Sequence, residues 1–87
     1  MGVMMKQARL RLMMGSAKRV KLVSTCIRSV QFVKRSGVVF IEFTSGGMYA
    51  YEEVKQITVT RLMHSASPGR FYGRNIRGKY QSTKLVL

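Results

Sequence analysis

The strongest constraint in this chain is a pair of alternating segments set around two glycines. Residues 38–44 read Val-Val-Phe-Ile-Glu-Phe-Thr, Ser45-Gly46-Gly47 follows, and residues 48–52 read Met-Tyr-Ala-Tyr-Glu. Successive side chains of an extended strand point to opposite faces. Val39, Ile41 and Phe43 therefore share one side, with Val38, Phe40 and Glu42 on the other. Glycine accepts the positive φ that a tight hairpin demands, so the pair turns the chain back on itself. Tyr49 and Tyr51 then lie on a common face of the returning strand. Upstream, residues 27–34 are rich in strand formers, with Val30 and Phe32 on one face. Lys34-Arg35-Ser36-Gly37 supplies the turn between the first two strands. Three short strands joined by tight turns predict an antiparallel meander.

A meander with an apolar face needs a cover. Residues 54–66 provide one, because Val59, Leu62, Met63 and Ala66 recur at helical spacing. Glu52 and Glu53 would sit at its N-terminus, where the helix dipole favours negative charge. The β-branched run Thr58-Val59-Thr60 works against a helix, and residues 57–61 also alternate as a strand would. Ser67-Pro68-Gly69 is expected to end the segment. In residues 1–23, Met5, Ala8 and Leu12 share one side of a helix, whereas residues 8–12 fit a strand equally well. The expected fold is α+β: a small three-stranded antiparallel β-meander packed against one α-helix. A basic N-terminal extension (1–23) precedes this domain (24–80), which ends in a basic aromatic segment, and a short tail (81–87) follows.

Charge then narrows the function. Sixteen Lys and Arg against three acids give a net charge of +13. A magnitude of about 2–8 is enough to keep a small domain soluble. Self-repulsion beyond that weakens the compact state, which points to an anionic partner. The acids Glu42, Glu52 and Glu53 all lie in the middle, and cations flank them. Arg9, Arg11, Lys18, Arg19 and Lys21 belong to the extension. After the proline, Arg70, Arg74, Arg77 and Lys79 interleave with Phe71, Tyr72 and Tyr80. Guanidinium groups neutralise and hydrogen-bond phosphates, and aromatic faces stack on unpaired bases. These cations, with Tyr72 and Tyr80, form the candidate nucleic-acid site, and Tyr49 and Tyr51 are further stacking candidates. Packing competes for the same side chains: so short a domain needs its large residues for a core, and Phe71, Ile76 and one tyrosine are expected to turn inward.

The residues for catalysis are sparse. His64 is the only histidine, Cys26 the only cysteine, and nothing local pairs them as base and nucleophile. No internal disulfide can form, the ligands for a metal site are lacking, and no Gly-Lys-Ser/Thr phosphate loop is present. A non-enzymatic protein with no metal and no cofactor is expected. The single thiol suits a reducing, cytoplasmic compartment. No apolar run approaches the roughly 18 residues of a membrane span, and neither a membrane partner nor a secretory leader is expected.

Several motifs recur in the order and spacing of a known family. Val39-x-Ile41-x-Phe43 and Gly47 precede Tyr49-Ala50-Tyr51; the helical pattern ends at Leu62-Met63; Ser67-Pro68-Gly69-Arg70-Phe71-Tyr72 follows, and then Ile76-Arg77 and Tyr80. In these features residues 24–80 resemble a KTSC domain, a module named for the C-terminus of certain lysyl-tRNA synthetases and also found alone in bacteria and their phages. Two positions depart from the family pattern: Lys55 stands where proline often follows the valine, and Gly73 where asparagine is common. The resemblance implies the fold and, through the synthetase association, RNA binding. The expected function is non-enzymatic binding of RNA or single-stranded nucleic acid. The alternative is a protein-interaction module docking on an acidic host protein surface, with Val38, Phe40 and the sheet edge as contacts.

Overall fold

Gly46 and Gly47 adopt φ of 98° and 99°, and the Phe43 amide donates to the Gly47 carbonyl at 3.1 Å. That hairpin is the centre of the sheet in the computed structural model, which describes residues 2–86, with side chains for residues 5–86. Strands β1 (Arg19–Lys21), β2 (Ile27–Val33), β3 (Val38–Phe43), β4 (Met48–Tyr51) and β5 (Ser82–Lys84) run antiparallel and lie side by side in chain order. The helices are α1 (Gly2–Gly15), α2 (Gln56–His64) and α3 (Pro68–Asn75).

The meander, its turns and its face assignments follow the sequence reading. The element count does not: the described residues hold five strands and three helices, against the three and one expected. β1 and β5 are three residues each, too short to show a period. They are strands because β2 and β4 offer open backbone edges, with Val20 opposite Val30 and Thr83 opposite Ala50. Pro68 does not merely stop α2. It opens α3 at the first helical position, where a missing N–H costs nothing because that group has no intrahelical partner. α2 begins later than expected, after Lys55, so Glu52 and Glu53 lie outside its first turn and Ala66 lies past its end.

The sheet is covered on both faces. On one, Ile27, Val30, Val39, Ile41 and Tyr51 pack with Val54, with Val59 and Leu62 of α2, and with Ile76 just past α3. A bulge at Arg28 lets Ile27 and Val30 share this face although they are three residues apart. On the other, Val38, Phe40, Met48, Ala50 and Leu85 pack beneath Leu10 of α1. Phe40 is fully buried. Val38 and Phe40 therefore present no surface to a protein partner, contrary to the alternative raised from the sequence.

Polar contacts tie the N-terminal segment down. The Gln7 amide donates to the Lys84 carbonyl at 2.8 Å and accepts from the Val86 amide at 2.9 Å. Gln31 donates to the Met14 and Ala17 carbonyls at 2.9 and 3.0 Å, which ties the end of α1 and the turn after it to β2. Lys6 pairs with Glu52 at 2.9 Å. Arg19 pairs with Glu42, which also accepts from Ser29 at 2.9 Å. Two of the three acids thus hold α1 and β1 to the sheet.

Candidate nucleic-acid interface

The alternation that builds the core also builds the site. Phe43 ends the face that Val39 and Ile41 begin. Register places Tyr49 opposite Ile41 and Tyr51 opposite Val39, so three rings gather at one end of the helix-covered face. α3 adds the fourth, Tyr72. Phe43 meets Tyr49 and Tyr72 edge to face, with centroids 5.6 and 5.1 Å away. Tyr51 and Tyr72 are 5.8 Å apart at 75°. This geometry places the positive ring edge against the negative ring face. The Tyr51 and Tyr72 hydroxyls lie 2.5 Å apart in a shared hydrogen bond.

The four rings open onto a cleft of about 400 Å³. Arg77 lines it, with Ser45 and Ser82, and no carboxylate is among its described lining residues. Arg77 is there because α3 ends tightly: the Ile76 and Arg77 amides both donate to the Tyr72 carbonyl at 2.9 Å. Burial pushes the Tyr51 hydroxyl well above the ordinary tyrosine range, and the bond to Tyr72 pushes the same way; the Arg77 charge acts in opposition. Tyr51 therefore stays protonated and neutral. Lys84, which is not among the described lining residues, holds its Nζ over the Tyr49 ring, 6.0 Å from the centre. It was missed as a candidate because it falls in the short tail, and only the pairing of β5 with β4 brings it here.

Of the residues singled out from the sequence, Tyr49, Tyr51, Tyr72 and Arg77 converge on the cleft. The others do not. Arg70 and Arg74 are exposed on α3, beside Phe71. Lys79 and Tyr80 lie by Glu52 and Glu53, and Tyr80 packs partly against the core. Arg9 and Arg11 are on α1, across the sheet, and Arg11 donates to the Val86 carbonyl at 3.3 Å. Arg19 is paired with Glu42, and Lys18 and Lys21 are exposed. The expectation that Phe71, Ile76 and a tyrosine serve the core is met by Ile76, which is fully buried, and in part by Phe71 and Tyr72. A larger hollow, about 580 Å³, lies elsewhere, between Cys26 and the start of α3. It carries one cation, Arg70, and no aromatic ring, so it lacks the chemistry of the smaller cleft. His64 donates from Nδ1 to the Thr60 carbonyl at 2.9 Å. Among the described residues, no three His, Cys, Asp or Glu side chains gather to hold a metal ion, and no helix is long and apolar enough to cross a membrane.

Comparison with known proteins gives a consistent picture. Residues 23–80 match the KTSC domain family. An uncharacterized protein of Stutzerimonas stutzeri is 35 % identical over 57 residues, covering 66 % of this chain and 80 % of that protein. The crystal structure of a KTSC domain protein from Yersinia pestis superposes with a TM-score of 0.79 at 27 % identity, covering 82 % of this chain and 100 % of that one.

Proposed function

From the premise that this chain belongs to the KTSC domain family, we propose that it is a non-enzymatic module binding RNA or single-stranded nucleic acid. The observation that carries this reading is the cleft: four aromatic rings beside Arg77, with no carboxylate among its described lining residues, in a chain of net charge +13. An unpaired base can stack on the exposed parts of Phe43, Tyr49 and Tyr72, where stacking contributes roughly 1–3 kcal/mol per base. Arg77 then reaches the adjacent phosphate by a charge-assisted hydrogen bond. Bases inside a duplex are already stacked and paired, so an unpaired strand is preferred. Arg70, Arg74, Lys79 and the cations of α1 and β1 add affinity without sequence preference. The free thiol of Cys26 fits a reducing, cytoplasmic setting for this activity.

Titration of labelled tRNA, a single strand and a duplex at two salt concentrations tests the proposal. Each phosphate neutralised on a single strand should contribute about −0.7 to the slope of log K against log salt. Arg77→Ala should weaken the single strand more than the duplex. Absence of binding near physiological salt overturns the reading, and equal binding of duplex and single strand removes the role of the rings.

A further inference from the structure

Tyr51 and Tyr72 join their hydroxyls in one hydrogen bond. Each hydroxyl carries one proton, so the bond consumes one donor and the second remains for a ligand. Burial keeps Tyr51 protonated. Arg77 adds guanidinium N–H groups to the lining, and the Lys84 ammonium lies over the Tyr49 ring, 6.0 Å from its centre. No carboxylate among the described lining residues competes for these donors. The cleft thus joins an aromatic wall to a wall of donors. Its volume, about 400 Å³, lies near the lower end of the roughly 300–1,000 Å³ that small-ligand sites span. The ligand it fits is compact, carries a flat ring, and presents oxygen acceptors bearing negative charge. One nucleotide has all three properties.

We propose that the cleft is a mononucleotide site. It holds one phosphorylated nucleotide, with the base against Phe43 and Tyr49 and the phosphate on Arg77 and the free proton of the tyrosine pair. The nucleotide is either free or one unpaired unit of a strand. This inference rests on the nucleic-acid reading and sharpens it: each chain engages one base, and the remaining cations follow only the backbone.

The test is an amide-shift titration of the full chain by NMR, following Gly46, Arg77 and Gly78 around the cleft. The probes are adenosine and uridine 5′-monophosphates, the matching nucleosides, inorganic phosphate and a short single strand. The monophosphates should move these amides saturably. The nucleosides should bind about tenfold more weakly, as loss of a charge-assisted bond implies. Arg77→Met should weaken the monophosphate by a similar factor, and the double variant Tyr51→Phe with Tyr72→Phe, which removes both hydroxyl protons, should weaken it with the fold retained by circular dichroism. Monophosphates within about tenfold of the strand identify free nucleotide as the source. A much tighter strand that moves the same amides identifies a strand unit. Nucleosides binding as well as monophosphates, or unchanged affinity in Arg77→Met, overturns the inference. So do silent cleft amides under millimolar monophosphate while the strand still binds, and that result leaves the broader reading intact. Binding by neither removes both.

Discussion

Leu10 and Leu12 sit two residues apart on α1, yet 1 % of Leu10 is exposed against 78 % of Leu12. Leu10 packs on Val38, Phe40, Met48, Ala50 and Leu85. Truncating it to alanine removes three carbon groups, at about 0.8 kcal/mol each by transfer, and leaves a cavity beneath the helix. Buried leucine truncations cost about 2–5 kcal/mol, so a loss of about 3 kcal/mol is expected. Alanine is as good a helix former as leucine, so intrinsic propensity does not mask the effect. With a urea m-value of about 1 kcal/mol per molar for a small domain, the midpoint should fall by about 2–3 M. Thermal melts should drop by roughly 4–8 °C per kcal/mol. Leu12→Ala is the matched control, since exposed substitutions stay within about 0.5 kcal/mol. Far-ultraviolet circular dichroism during urea titration of both variants decides the matter. Equal, small shifts would mean that α1 does not cover the second face of the sheet.

Two further outcomes follow from particular residues. Gly46→Ala meets open space but must keep φ near +98°, so it should cost about 1–2 kcal/mol, whereas Gly73→Ala, also in open space but within α3, should stabilise by about 0.5–1 kcal/mol; urea midpoints moving in the same direction would count against the backbone argument. Because the folded state raises the pKa of Tyr51 above its ordinary value of 10.0, it keeps a proton that the unfolded chain releases. That contribution is whole below pH 10 and is lost progressively above it. Urea midpoints at about pH 8 and about pH 11 should therefore fall further in the wild type than in Tyr51→Phe; lysine titration is common to both, so an equal fall contradicts the assignment.

The candidate site draws on residues scattered through the chain. Tyr49 and Tyr51 share a face by strand alternation alone, and the glycine turn before them makes that face the one Phe43 occupies. These rings were legible because period-two patterning is local. Tyr72 and Arg77 stood out by their basic aromatic setting, but their neighbours Arg70, Arg74 and Lys79 shared that setting equally. Only the helical path of α3 and its tight end at the Tyr72 carbonyl separates the two that enter the cleft from the three that do not. Lys84 gave no local signal, since a three-residue edge strand is recognisable only when its partner strand is known.

The sequence by itself determined the central meander, its hairpin, the alternating faces of residues 38–43 and of Tyr49 and Tyr51, and the excess of positive charge. Those features depend on neighbours a few residues apart, through strand alternation, glycine conformation and composition. Tertiary structure decided the rest: that residues 2–15 form a helix, that it covers the second face of the sheet, and that Glu52 clips this helix in place while Glu42 holds β1. Residues 1–23 fit helix and strand about equally, and the choice went to the form that buries Leu10 on Phe40. That contact spans some thirty residues of chain, and no local pattern carries its free energy.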